Sequence, residues 1–321
     1  MKAIVYEQYG SPDVLRYADV DRPTVARDQV LVRVRAASIN RGDIFALHGI
    51  PRLIRVAFGL RRPRRTILGR AVAGTVEAAG PAAMRLRVGD EVFGEVAQRG
   101  FAEYVAAGED AFARIPVGVT FEQAATLPVA GTTALQAVRA AEVQAGQSVL
   151  VNGASGGVGT ICVQLAKLAG AEVTAACGPR NAGLMNSLGA DHVVDYTRED
   201  VTRDADRFDA IIDLVGDHRL GDLRRALTPQ GVYIASSGYG GSVLGPIPRL
   251  LAVSAAGPVS RQHLKPLAAR NSVEDLTTLA TLVAEGKLGP VIERIYPMAQ
   301  TADAIRYIES QRPGGKVVLT A

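Results

Sequence analysis

Only two cysteines, four histidines and no tryptophan occur among the 321 residues. Cys162 and Cys177 both stand inside apolar runs, so neither a disulfide framework nor a CxxC metal knuckle can be assembled, and a reducing compartment, the cytoplasm, is expected. The scattered histidines offer no His-rich ligand set. Apolar runs stay short of the roughly 20 residues that span a bilayer. The opening Met1-Lys2-Ala3-Ile4-Val5-Tyr6 reads as a short strand rather than a secretory leader. A protein working in solution, without a membrane partner, is therefore expected. Aromatic residues amount to 5%, and net charge is only +4. Arg61, Arg62, Arg64 and Arg65 form one dense basic cluster, but Phe58 is the only aromatic beside it. A solvated loop that helps attract an anionic cofactor is favoured over a nucleic-acid patch.

What is present is a globular composition, 48% hydrophobic, at a length that suits two domains. Val30-Leu31-Val32-Arg33-Val34-Arg35, within Gln29 to Ala37, alternates with the period of a half-buried strand. Val72 to Ala78, Glu91 to Phe93 and Ala102 to Ala106 are further strands, punctuated by glycines, so the first third reads as a β-rich domain. Helical texture begins near Phe121, where a boundary is placed. Strand and helix patterns then alternate: Ser148 to Asn152, Thr160 to Leu168, Glu172 to Cys177, Asn181 to Leu188, His192 to Asp195, Ala210 to Val215, Leu220 to Leu227 and Gly231 to Ala235. That alternation specifies a doubly wound parallel sheet. A glycine-serine loop follows at Ser236 to Ser242, then an apolar stretch interrupted by Pro246 and Pro248. The tail offers a helix from Val273 to Glu285, a strand around Val291 to Ile295, a helix from Thr301 to Glu309 and a strand from Lys316 to Thr320.

The chemistry centres on Gly153-Ala154-Ser155-Gly156-Gly157-Val158-Gly159. A dinucleotide site needs a turn free of obstructing side chains, so that backbone N–H groups at a helix N-terminus can approach the pyrophosphate. Here the glycines follow a buried strand, open a helix and sit among repeated βα units, the context that gives such a pattern meaning. The second strand runs into Ala176-Cys177-Gly178-Pro179-Arg180. An NAD-specific protein would place a carboxylate there for the ribose 2′-hydroxyl. None is present, and Arg180 is a cation able to pair with a 2′-phosphate, which favours NADPH over NADH.

Together with their surroundings these residues resemble the medium-chain dehydrogenase/reductase superfamily, in its zinc-free quinone oxidoreductase (zeta-crystallin-like) branch. The likeness runs nearly end to end. It rests on Ala36-Ala37-Ser38-Ile39-Asn40-Arg41-Gly42-Asp43, Val88-Gly89-Asp90-Glu91-Val92-Phe93-Gly94, Gly100-Phe101-Ala102-Glu103-Tyr104 and Gly131-Thr132-Thr133-Ala134-Leu135, with the glycine turn and Leu188-Gly189-Ala190-Asp191-His192-Val193-Val194-Asp195-Tyr196 the most specific. The resemblance implies a GroES-like catalytic domain, residues 1–121 and 266–321, with a Rossmann domain, residues 122–265, inserted in it. It implies that Tyr196, Gly178 and Arg180 line the adenosine-phosphate pocket, and that Lys316, after Gly314-Gly315, closes over the cofactor. Val215, Ser237 and Gly315 are counted with the cofactor residues, and a homodimer through the Rossmann sheet edge is an analogy at fold level.

Zinc-dependent members place cysteine at Asn40, histidine at Arg41 and a His-Glu pair at Arg70-Ala71, so no metal site is expected. Without a Lewis acid, quinones and α,β-unsaturated carbonyls, which accept hydride into a conjugated system, become the expected small-molecule substrates. Asn40 and Thr133 are candidate contacts to acceptor or nicotinamide, with strand-end and helix-cap roles as the alternative. Asp43 is a candidate proton donor or a loop-fixing carboxylate, and Tyr239 a further candidate acid. Many members carry Asp where Ala71 stands, which leaves room for a non-catalytic NADPH-binding sensor or crystallin-like protein; alcohol dehydrogenase chemistry is the remaining alternative.

Overall fold

The computed structural model describes residues 1–203, 207–236, 241–311 and 313–321. Ser237 and Tyr239, both named as candidates above, lie outside the described residues. In chain order the strands are β1 (Lys2–Val5), β2 (Arg16–Asp19), β3 (Gln29–Ser38), β4 (Ala71–Ala79), β5 (Glu91–Glu95), β6 (Tyr104–Gly108), β7 (Phe112–Arg114), β8 (Ser148–Asn152), β9 (Glu172–Cys177), β10 (His192–Asp195), β11 (Phe208–Asp213), β12 (Leu227–Ala235), β13 (His263–Pro266), β14 (Ile292–Pro297) and β15 (Lys316–Thr320). The chain divides into two compact units, Met1–Thr132 with Asn271–Ala321, and Thr133–Arg270.

The first unit is the GroES-like one. Its sheet runs β14-β15-β3-β4-β5-β7, with β6 paired to β3 and a separate β1-β2 ribbon. The long β3 serves three partners: its first residues pair with β6, its whole length with β4 and its last three residues with β15. Two register shifts against β4, at Leu31/Val32 and Val34/Ala36, bend it enough to do so. Alternate β3 residues Val30, Val32 and Val34 join Val72, Val92, Phe101, Phe112, Val317 and Leu319 in one apolar core, each fully buried side chain contributing on the order of 1.5–3 kcal/mol. Because Val318 faces Ser38 in an antiparallel pair, Lys316 falls level with the residues that follow β3. That register builds half of the candidate site.

The second unit is an all-parallel sheet in the order β10-β9-β8-β11-β12-β13. Its central strands are buried on both faces, and Val149, Leu150, Val151, Ile211 and Ile212 are fully so, which is why they read as continuous apolar runs. From β8 the chain winds to β9 and β10 on one side, then to β11, β12 and β13 on the other, so the order reverses between β8 and β11.

Two boundaries and one helix differ from expectation. Thr120 caps the helix Phe121–Thr126 by accepting from the Gln123 N–H, and that helix packs on β3, β4 and β15. The change of texture near Phe121 therefore marks a helix of the first unit, and the division falls after Thr132. The second division follows Arg270 because β13 completes the parallel sheet. The apolar stretch to Ala256 is not interrupted by Pro246 and Pro248: they stand at the start of the helix Ile247–Ala256, where the missing N–H has no intrahelical partner to lose.

Candidate active site

In the second unit the glycine turn joins β8 to the helix Gly159–Leu168. Gly153 has φ +83°, a left-handed conformation, and a Cβ there would come 2.6 Å from Val215 Cγ2. A Cβ at Gly159 would overlap the carbonyl oxygens of Gly153 and Ala154, so the close seating of helix on turn requires glycine. At Gly156 only the Gly153 oxygen lies within 4 Å, at 3.7 Å, leaving that face uncrowded by the chain itself. The N–H groups of Gly153 and Ala154 donate to Ala176 O at 3.2 and 3.0 Å, tying the turn to β9.

Asp213, at the end of β11 and fully buried, holds this arrangement from behind. Its Oδ1 accepts from Asn152 Nδ2 at 3.0 Å, Val215 N–H at 3.2 Å and Gly216 N–H at 2.8 Å; its Oδ2 accepts from Tyr233 OH at 2.7 Å and Arg249 NH2 at 3.1 Å. A buried carboxylate is tolerable only with such partners. Sequence reasoning missed it, although an aspartate closing the apolar run Ile211-Ile212 was a signal.

Beyond β9 and β10, a Cβ at Gly178 would lie 3.1 Å from Tyr196 OH, so these two candidates meet. Arg180 is exposed in the turn Pro179–Asn181 that follows. Asp195, closing β10, is occupied by the Thr197 N–H and hydroxyl at 2.9 and 2.7 Å, and β9 ends without a carboxylate. Gly153, Val215, Gly178 and Tyr196 thus gather at the carboxyl ends of β8 to β11, where the strand order reverses and open α/β sheets bind their ligands. Thr133 stands in the first turn of the helix Thr132–Ala140, partly exposed.

In the first unit Asn40, Asp43 and Lys316 converge. Asn40 precedes the helix Arg41–His48, and the Asp43 carboxylate turns back to accept from its N–H at 2.8 Å. The buried Lys316 Nζ donates to Asn40 Oδ1 at 2.6 Å and to Ile39 O at 2.7 Å. An ammonium only donates, so it fixes which end of the Asn40 amide faces it. Asn40 Nδ2 then donates to Ser38 O at 3.1 Å and keeps a second hydrogen. Burial pushes Asp43 up to about 6, against the backbone N–H of Asn40 and the charges of Lys316 and Arg70, and pushes Lys316 down to about 8, against the Asp43 carboxylate. Two buried polar atoms have no hydrogen-bond partner here: Ser38 Oγ and the hydroxyl of Tyr6, whose ionisation burial and Asp43 both oppose. Gly315, at φ +100°, brings β15 in, since a Cβ there would lie 2.5 Å from Val291 O.

The positions compared with zinc ligands carry other chemistry. Arg41 reaches over the Phe45 ring, 5.9 Å from its centroid. Arg70 pairs with Glu95, a partner not anticipated from sequence, and Ala71 is fully buried opposite Glu95 on β5. Among the described residues no three His, Cys, Asp or Glu side chains are grouped to hold a metal ion.

A parallel nucleotide-type sheet with a glycine turn at its point of reversal, joined to a GroES-like β unit, defines the class of two-unit nicotinamide oxidoreductases. Residues 26–145 match the model of the alcohol dehydrogenase GroES-like domain, and residues 188–319 that of a zinc-binding dehydrogenase. The chain is 32% identical to the chloroplastic NADPH-dependent alkenal/one oxidoreductase of Arabidopsis thaliana, covering 99% of this chain and 79% of that one. It is 31% identical to a chloroplastic quinone-oxidoreductase homolog of Spinacia oleracea, over 99% and 98%. The quinone oxidoreductase structure from Coxiella burnetii superposes with a TM-score of 0.87 at 31% identity, over 100% and 99% of the two chains. The chain belongs to the medium-chain dehydrogenase/reductase superfamily, in its quinone oxidoreductase branch.

Proposed function

We propose that the protein is an NADPH-dependent, zinc-independent oxidoreductase that delivers hydride to a quinone or an α,β-unsaturated carbonyl. The observation that carries the zinc-free part is the Lys316 ammonium 2.6 Å from Asn40 Oδ1. A fixed cation beside the residue that replaces a thiolate ligand repels a metal ion and supplies part of its electrostatic effect. The substrate class follows from that chemistry and agrees with the activities that the Arabidopsis and Spinacia relatives are named for.

The second unit fits a dinucleotide: Gly159 and Gly153 seat a helix N-terminus on a turn whose Gly156 face is open. Bound there, the cofactor supplies the hydride. The chain's own residues do the rest. The glycine turn holds the pyrophosphate through backbone N–H groups, Tyr196 over Gly178 flanks the adenosine, and Arg180 pairs with the 2′-phosphate. Asn40, oriented by Lys316, offers its remaining amide hydrogen to the acceptor oxygen as negative charge develops, and Asp43 keeps Lys316 protonated near neutrality. No side chain of this cluster is assigned as proton donor, and solvent water fills that role. The buried free thiols of Cys162 and Cys177 suit a reducing compartment such as the cytoplasm. Turnover of NADPH with a quinone and enone panel, unaffected by a zinc chelator, tests the proposal; loss of turnover on chelation, restored by zinc, contradicts it.

A further inference from the structure

Between Asp43 and Glu77 the chain carries no carboxylate, while Arg52, Arg55, Arg61, Arg62, Arg64 and Arg65 crowd into that stretch. The segment is not loosely attached. Tyr9 OH donates to Gly59 O at 2.6 Å, and Arg55 lies over the Tyr9 ring at 4.5 Å while its Nε donates to Gly49 O at 2.9 Å. Arg64 N–H closes the turn on Phe58 O at 2.7 Å, and Gly59, at φ +121°, has no room for a Cβ beside the Arg62 carbonyl oxygen. The result is a fixed projection on the first unit. Along it Leu53, Val56 and Leu60 are exposed to 44%, 63% and 71%. Arg52, Arg61, Arg62, Arg64 and Arg65 on the same segment are exposed as well, and none has an ion-pair partner among the described residues.

Exposed cations and bare aliphatic tips on one short, tied-down segment call for a partner that is anionic and apolar at once. We propose that this projection docks the protein on a membrane surface carrying anionic headgroups, with the arginines among the headgroups and Leu53, Val56 and Leu60 at the acyl boundary. A nucleic acid would satisfy the arginines only. Its phosphates give the aliphatic tips nothing to bury against, and Phe58, the aromatic beside the arginine cluster, packs inward on the core. Docking of this kind is peripheral and needs no spanning helix; among the described residues none is long and apolar enough to be one. The proposal stands apart from the function proposed above, because no residue of the hydride-transfer site takes part.

The test is flotation of the full-length protein with phosphatidylcholine vesicles, with and without phosphatidylglycerol. Binding is expected only with phosphatidylglycerol and should weaken as salt is added. The variant R61Q/R62Q/R64Q/R65Q should lower the partition coefficient on the order of 100-fold, at about fivefold per arginine with incomplete additivity. The variant V56S/L60S should lower it about tenfold without changing net charge. Both alter exposed side chains, and circular dichroism confirms their folding. The proposal is overturned by the absence of flotation with phosphatidylglycerol vesicles, by binding that survives the four arginine substitutions, or by an effect of those substitutions that V56S/L60S does not share. Tight, salt-sensitive retention on single-stranded RNA indifferent to V56S/L60S would overturn it in favour of a nucleic acid.

Discussion

Replacing Asp43 by asparagine isolates the electrostatics of the Asn40–Asp43–Lys316 cluster. The carboxyl is fully buried and its affinity for protons is raised from the ordinary 3.8 to about 6. In the folded state it therefore binds a proton that the unfolded chain has already released between about pH 4 and pH 6. Its contribution favours folding fully below the unfolded value and is lost as the pH rises through about 6. A shift of roughly two units at about 1.4 kcal/mol each makes that loss up to about 3 kcal/mol. Asparagine keeps an oxygen to accept from the Asn40 N–H but cannot titrate. Urea unfolding at pH 4.5, 5.5, 6.5 and 7.5, followed by circular dichroism, is expected to show the difference between wild type and D43N changing by about 2 kcal/mol across the series, with D43N gaining relative stability as pH rises. Parallel stability curves for the two proteins would refute the claim that Asp43 is a buried, proton-retaining carboxylate.

Three further outcomes are expected. Gly159→Ala places a methyl against the Gly153 and Ala154 carbonyl oxygens, so calorimetric titration should show dinucleotide affinity reduced at least about tenfold. Arg249→Met leaves the buried Asp213 carboxylate without its cation and should cost about 3–5 kcal/mol in denaturant unfolding; a change below about 1 kcal/mol would mean that Tyr233, Asn152 and the two N–H groups suffice. Arg180→Ala should weaken NADPH binding on the order of tenfold and leave NADH binding nearly unchanged; equal losses for both cofactors would remove the 2′-phosphate from its role.

The parallel sheet was legible because β8 and β11 are buried on both faces and so appear as unbroken apolar runs, while the glycine turn between strand and helix announces itself by spacing. The convergence of Asn40 with Lys316 was not, since the two are separated by 276 positions and meet only through the β3–β15 register. Asn40, Asp43 and Lys316 each drew notice singly, but their mutual contacts, and those of Arg70 with Glu95, are products of strand pairing. The same holds for Asp213: its partners come from β8, β12 and the helix Ile247–Ala256, and that helix was hidden by two prolines that initiate it. Phe121 was misread as a boundary because helical texture in a β-rich unit looks like the start of another domain until its packing on β3, β4 and β15 is known.

The most direct test of the central claim is steady-state oxidation of NADPH and of NADH by the purified, metal-stripped protein against a panel of quinones and enones. The account predicts turnover with at least one member of the panel, a preference for NADPH that Arg180→Ala erases, and no stimulation by added zinc. Tight NADPH binding with no turnover of any quinone or enone, or activity that appears only when zinc is supplied, would contradict it.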